Sequence, residues 1–166
     1  DFCLSRGLGD VYKRQVDKRL TLSLGTKLID TSFTDPEFEP SARLLYTPTD
    51  TQTWWAAFTH ALRTPSDAEE NFSLAGFIQI APNGLPYFAR FNPNQNFRSE
   101  ELNGYELGYR QLLGPRLYLS LSTFYNHYSS LFSEDITGPT FVENNPPPTH
   151  LLLPAEFGNG LRGTTS

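Results

Sequence analysis

The stretch Arg116-Leu117-Tyr118-Leu119-Ser120-Leu121-Ser122 decides the fold class. Leu117, Leu119 and Leu121 share one parity, and Ser120 and Ser122 share the other. A strand turns successive side chains to opposite faces, so this segment predicts one apolar face and one polar face. Four more segments repeat the pattern, at about 18–28, 39–47, 52–63 and 100–112. A sixth strand is expected to begin after Gly160.

The first of these puts Leu20, Leu22, Leu24 and Leu28 on one face, with Thr21, Ser23, Gly25 and Lys27 on the other. The second puts Ala42, Leu44 and Tyr46 opposite Ser41, Arg43 and Leu45. In the third, Trp54, Ala56, Phe58 and Leu62 share a register, and Trp55, Ala57, Thr59, Ala61 and Arg63 share the other. In the fourth, Tyr105, Leu107 and Tyr109 alternate with Gly104, Glu106, Gly108 and Arg110.

Pro48-Thr49-Asp50-Thr51 and Gly114-Pro115 predict tight reversals. Residues 64–99 and 129–159 have no sustained period and read as long irregular loops. Short and long connections therefore alternate, which places all short turns on one rim of an antiparallel sheet. That is the sequence signature of an outer-membrane β-barrel, with its short turns periplasmic and its long loops outside. Trp54, Tyr46 and Leu117 are expected near the periplasmic interface and Tyr105 and Tyr125 near the outer one.

Composition agrees with strands and turns. Aromatic residues make up 14% of the 166 residues, with 13 Pro, 12 Gly and no Met. Only 38% of residues are hydrophobic, and no apolar run approaches the ~18 residues of a membrane helix. A barrel needs no such run, because only alternate residues meet lipid. The net charge of −5 argues against phosphate-based binding to nucleic acid. Cys3 stands alone, which excludes an internal disulfide and a cysteine metal site.

No catalytic constellation is legible. His60, His127 and His150 lack partners at zinc-ligand spacing, and no nucleophile elbow, phosphate loop or dinucleotide fingerprint occurs. No cofactor or metal is expected, and no enzyme. His60 and His127 are expected on the apolar register near the outer strand ends. Lys27, Arg43, Arg63, Glu106 and Arg110 fall on the polar registers, where a wet lumen tolerates charge and lipid does not. They line a path or hold a plug, or pair across strands and only solvate the wall. Phe88, Arg90 and Phe91, within the first long loop, are candidates for contact with an external ligand, or they hold the loop together.

Several segments then resemble one family. These are Ser41-Ala42-Arg43-Leu44-Leu45-Tyr46-Thr47-Pro48, Trp55-Ala56-Ala57-Phe58-Thr59 and Arg63-Thr64-Pro65-Ser66. Phe97-Arg98-Ser99-Glu100-Glu101-Leu102, Tyr105-Glu106-Leu107-Gly108-Tyr109-Arg110, Phe124-Tyr125-Asn126 and Phe157-Gly158-Asn159-Gly160-Leu161-Arg162-Gly163 continue the match. In order and spacing they resemble the TonB-dependent outer-membrane receptors. The resemblance implies an all-β antiparallel transmembrane barrel of 22 strands closed by a plug. The present chain would supply an internal, curved open sheet of five to six strands. It also implies the outer membrane of a Gram-negative bacterium, contact with its lipid, and a small ligand of the iron–siderophore or cobalamin class. Energy coupling to the TonB complex would run through the plug.

Residues 1–15 carry neither period and resemble a translation of sequencing-adapter DNA. They are expected to be a non-native leader, with 16–166 as the partial barrel domain. Three rivals remain: a soluble β-sandwich binding a carbohydrate-type ligand, a surface hydrolase and a passive porin.

Overall fold

The computed structural model describes residues 6–31 and 34–166. Side chains within β1 are described only at Tyr12. In chain order the elements are β1 (Arg6–Asp17), β2 (Leu20–Asp30), β3 (Glu37–Thr49), β4 (Gln52–Arg63), α1 (Asp67–Asn71), β5 (Leu74–Ile80), β6 (Pro86–Asn92), β7 (Glu100–Gly114), β8 (Leu117–Ile136), β9 (Phe141–Glu143) and β10 (His150–Thr165). Two compact units divide them. One comprises the chain through residue 63 with 100–129 and 162–166, and the other comprises 64–99 and 130–161.

The first unit is an antiparallel sheet in the order β1-β2-β3-β4-β7-β8. Its register aligns the parities expected from the sequence. One row runs Leu24–Ala42–Phe58–Tyr105–Tyr125 and another runs Leu20–Tyr46–Trp54–Tyr109–Leu121. A one-residue slip of a strand would bring its opposite parity, which carries the Ser, Thr, Gly and charged residues, into these rows, so the pattern favours the observed pairing. Trp54 packs on Tyr109 with ring centroids 4.2 Å apart, and Phe58 lies 5.3 Å from Tyr105.

This apolar face is uncovered. Leu24, Leu44, Trp54, Tyr105, Leu107, Leu121 and Tyr125 are all exposed, Leu107 by 59%. In β8 the outward positions run from Leu117 to Tyr125, close to the ~9–11 residues that a tilted strand needs to cross a bilayer. Beyond that band the same face turns polar in the row His60–Asn103–His127.

Strands β3 and β4 join through Asp50-Thr51, and β7 and β8 through Pro115-Arg116. Both reversals fall where Pro48-Thr49-Asp50-Thr51 and Gly114-Pro115 placed them. A third short turn, Lys18-Arg19, joins β1 to β2 on the same rim. The first predicted strand consequently starts at Leu20 rather than at residue 18. Residues 6–17 pair with β2 along their length, although they carry no period. Register across the sheet is a tertiary property that such a segment does not display by itself.

The ten strands among the described residues exceed the five or six expected, because the long loops contribute β5, β6 and β9 and residues 6–17 form β1. In the second unit, β5 and β6 form a hairpin around Asn83-Gly84, where Gly84 adopts a φ of +80°. β6 lies parallel to β10, and β9 pairs antiparallel with β10. The stretch Leu74–Ile80 lacks alternation because it reads as a nearly continuous apolar run, and periodicity does not identify such a strand. β8 continues to Ile136 through Ser130, which adopts a φ of +54°. β10 starts at His150, ten residues before the sixth strand was expected, and Pro154 within it interrupts the alternation.

Candidate functional site

On the other face of the first unit, the register brings the polar candidates into rows. Lys27 stands across from Glu39 and forms an ion pair of 3.0 Å. Arg63 stands across from Glu100 and pairs at 2.9 Å. Both pairs are partly solvated, with Lys27 and Arg63 about half exposed, so each contributes roughly 0–1 kcal/mol. Lys27→Gln is therefore expected to leave folding within about 1 kcal/mol of the parent in a urea titration.

Nearer the short turns the arrangement differs. Trp55 donates its indole N–H to Glu106 Oε1 at 2.7 Å. Its ring lies across Gly108, where a Cβ would approach the ring to 2.0 Å. Gly108 thus provides the space for the indole, and Glu106 sets its direction. The Arg110 guanidinium sits 5.8 Å from the Trp55 centroid and 5.6 Å from that of Tyr118, within cation–π range of both. Arg43, exposed on β3, lines the same cavity of about 520 Å³ with Trp55, Glu106 and Arg110. Four of the five charged candidates thus interact with neighbours on this face. Arg43 makes no ion pair with any described residue.

On the opposite face, His60 Nδ1 lies 2.9 Å from Asn103 Oδ1, at the polar edge of the apolar band. His127 is across from Asn103 on β8. Among the described residues no three His, Cys, Asp or Glu side chains gather as a metal site.

In the second unit, the loop candidates lie on β6, half-buried and in contact with its neighbouring segments. Arg90 reaches both carboxylate oxygens of Glu143, at 3.2 and 2.5 Å. Phe91 stacks on Phe157 at 5.2 Å with an interplanar angle of 4°. Phe88 meets Phe77 and His150 edge-on. His150, 6% exposed, directs Nδ1 at the Pro148 carbonyl (2.8 Å) and Nε2 at Glu143 (3.2 Å). Pro146, Pro147, Pro148, Phe88, Arg90 and His150 line a small cavity of about 180 Å³. Glu143 and His150 carry no sequence signal for this role, because the β9–β10 pairing alone brings them together.

The Phe97 and Phe157 motifs also meet in this unit. Asn159 accepts the Arg98 N–H through Oδ1 (2.7 Å) and donates Nδ2 to the Arg98 carbonyl (2.9 Å). Phe132 bridges Phe97 and Phe157. Gly160 donates its N–H to Ser133 Oγ at 2.9 Å, and a Cβ on Gly158 would come within 2.0 Å of Asp135 Oδ2. The Phe157–Gly160 segment thus clasps the Arg98 backbone through Asn159 and the Ser133 hydroxyl through Gly160. Pro65 and Ser66 lead into α1, where the Glu69 carboxylate accepts the Ser66 N–H at 2.7 Å.

Two acids of this unit titrate with opposite consequences. Hydrogen bonding from Arg90 holds the Glu143 carboxyl below the ordinary value of 4.5, against the opposing effect of burial. Its stabilisation is complete above pH 4.5 and is lost as pH falls through the lowered value. Burial, then Asp67 and Glu69, push Glu70 above 4.5, and its Oε1 is buried without a hydrogen-bond partner among the described residues. Glu70 favours the folded unit below 4.5 and opposes it as pH rises through the raised value. At neutral pH, Glu143→Gln is expected to speed amide exchange in β9 and β10, and Glu70→Gln to slow it around α1. Unchanged exchange in both variants would contradict these assignments.

A wall with one lipid-compatible face and one charged face defines a membrane β-barrel protein of the outer-membrane type. The model of the TonB dependent receptor-like β-barrel family matches residues 10–160, and the chain belongs to that family. No curated protein sequence matches it significantly. Among solved structures it is similar to the siderophore receptor PirA from Acinetobacter baumannii, with a TM-score of 0.75 at 16% identity over 95% of this chain and 24% of that one. PirA from Pseudomonas aeruginosa gives a TM-score of 0.70 at 19% identity over 96% and 29%. A mutant ferric enterobactin receptor from P. aeruginosa, in complex with enterobactin, gives 0.73 at 16% over 95% and 23%. The chain therefore spans about a quarter of the length of these receptors.

Proposed function

We propose that this chain is part of the barrel wall of an energy-coupled importer in the outer membrane of a Gram-negative bacterium. The importer takes up a scarce small ligand of the iron–siderophore class, with cobalamin as the alternative cargo, and has no catalytic role. The uncovered apolar face of the first unit carries this reading, because aligned Leu, Tyr, Trp and Phe rows suit lipid and not water. A soluble sandwich would cover those rows with a second sheet, and no described residue of the first unit does so. The family and its siderophore-receptor neighbours support the cargo class. The plug, the TonB complex and the surrounding lipid are the partners this reading requires.

The decisive experiment measures iron-dependent growth and radiolabelled iron–siderophore uptake in cells that express the complete receptor. Uptake should cease when TonB is deleted or the proton gradient is collapsed. Uptake that persists without energy would assign the chain to a passive pore instead.

A further inference from the structure

We propose that His150 is a proton-operated latch, which as the imidazolium clamps a proline strap over the small cavity of the second unit and as the neutral ring lets the strap loosen. The strap joins β9 to β10 with the sequence Asn144-Asn145-Pro146-Pro147-Pro148-Thr149. Its three prolines have no N–H to donate, so no sheet ladder can hold them. Side chains hold the strap instead. Thr149 Oγ1 donates to Asn144 Oδ1 at 2.8 Å, which ties the two ends together. The Pro148 carbonyl is met by His150 Nδ1 at 2.8 Å. Beneath the prolines lies the cavity of about 180 Å³ that Phe88, Arg90 and Leu152 also line.

The ring is gripped from both sides. His150 Nε2 lies 3.2 Å from Glu143 Oε2, directly across the β9–β10 pair, and Phe88 meets the ring edge-on at 5.3 Å. A carbonyl and an ionised carboxylate only accept, so both contacts form only when both ring nitrogens carry hydrogen. A neutral imidazole has one N–H, and its other nitrogen would turn a lone pair towards an acceptor. His150 is only 6% exposed, so water has little access to replace the lost partner. The charged groups around the ring are Glu143 from β9 and Arg90 from β6, and Arg90 directs two N–H groups at Glu143. Hydrogen bonding from Arg90 holds the Glu143 carboxyl below 4.5 against the effect of burial, and His150 adds to it. Glu143 therefore stays ionised across the range in which an imidazole ordinarily changes charge, about pH 5 to 8. The latch is closed at the acid end of that range and opens as pH rises through it. In the barrel reading the long segments lie outside the cell, so the medium sets this pH. The latch itself does not depend on the importer reading.

The test uses the complete receptor in detergent micelles, with heat-modifiable electrophoretic mobility confirming a folded barrel. Amide hydrogen exchange is followed by mass spectrometry and corrected for the intrinsic pH dependence of exchange. From about pH 5 to about pH 8, protection of the peptides covering 141–153 should fall about tenfold, the size of one net hydrogen bond. Protection of β3 should stay within about twofold. His150→Gln, whose amide has no proton to lose in this range, should make the strap's protection independent of pH. In the wild type, deuteration at Cε1 of His150 reports the protonation of the ring, and the fall in protection should track it. That reading decides the matter if the variant does not fold.

A ring that keeps one protonation state across this range would overturn the latch, and so would a ring that titrates without a change in the strap. The same pH dependence in His150→Gln, or a parallel loss of protection in β3, would do the same. Failure of the importer reading would show separately, as energy-independent uptake in cells, and would leave the exchange profile unchanged.

Discussion

Leu121→Arg is expected to prevent stable assembly in lipid, whereas Ser122→Arg, one residue along, is expected to be tolerated. Leu121 sits midway along the outward run from Leu117 to Tyr125, in the row with Tyr109 and Trp54. An arginine at the midplane of a barrel's lipid face costs roughly 2–4 kcal/mol. That is a large fraction of the 5–15 kcal/mol by which a native protein is ordinarily stable. Ser122 faces the other way, beside Gly108, where water and other charges are already accommodated. The measurement is a urea titration of the complete receptor in lipid vesicles, followed by heat-modifiable mobility. Equal stability of the two variants would show that this face does not meet lipid. A soluble sandwich would also place Leu121 in a buried core, but it would partition into the aqueous fraction.

The second large effect is expected at Gly108. Its would-be Cβ falls 2.0 Å from Trp55 Cζ2, far inside contact distance, and the obstructing group is a rigid ring. Gly108→Ala must therefore swing the indole away, break its bond to Glu106 and remove one face of the Arg110 stack. Overpacking of this kind costs typically 1–3 kcal/mol. Gly163, where a Cβ meets nothing within 4 Å, is the matched control. Gly108→Ala should lower the urea midpoint and shift the tryptophan emission, and Gly163→Ala should do neither. Trp55→Phe in the Gly108→Ala background should recover part of the stability, since the smaller ring clears the new methyl. No recovery would place the strain elsewhere.

The outward rows and the short turns were legible in the sequence because both are local. Alternation is written residue by residue, and Pro48-Thr49-Asp50-Thr51 and Gly114-Pro115 carry their own backbone preferences. The strands in the long segments were not legible. Leu74–Ile80 shows no alternation, and Phe141–Glu143 has only three residues to show it. They exist through pairing with β6 and β10. The charged candidates were legible as a face but not as a pattern of partners. Lys27 and Arg110 look alike in the sequence, yet one is neutralised by Glu39 and the other is stacked on Trp55 and Tyr118.

The alternation in Arg116–Ser122 by itself determined that this is a two-faced β protein whose faces differ in solvent. Side-chain period is a property of one strand and needs no partner. Only the tertiary structure decided which residues meet. Register set Glu106 beside Trp55, Glu143 beside Arg90 and His150, and Asn159 against the Arg98 backbone. The Trp55–Glu106, Arg90–Glu143 and Arg98–Asn159 neighbours are 51, 53 and 61 positions apart in the chain, separations at which local preference carries no information.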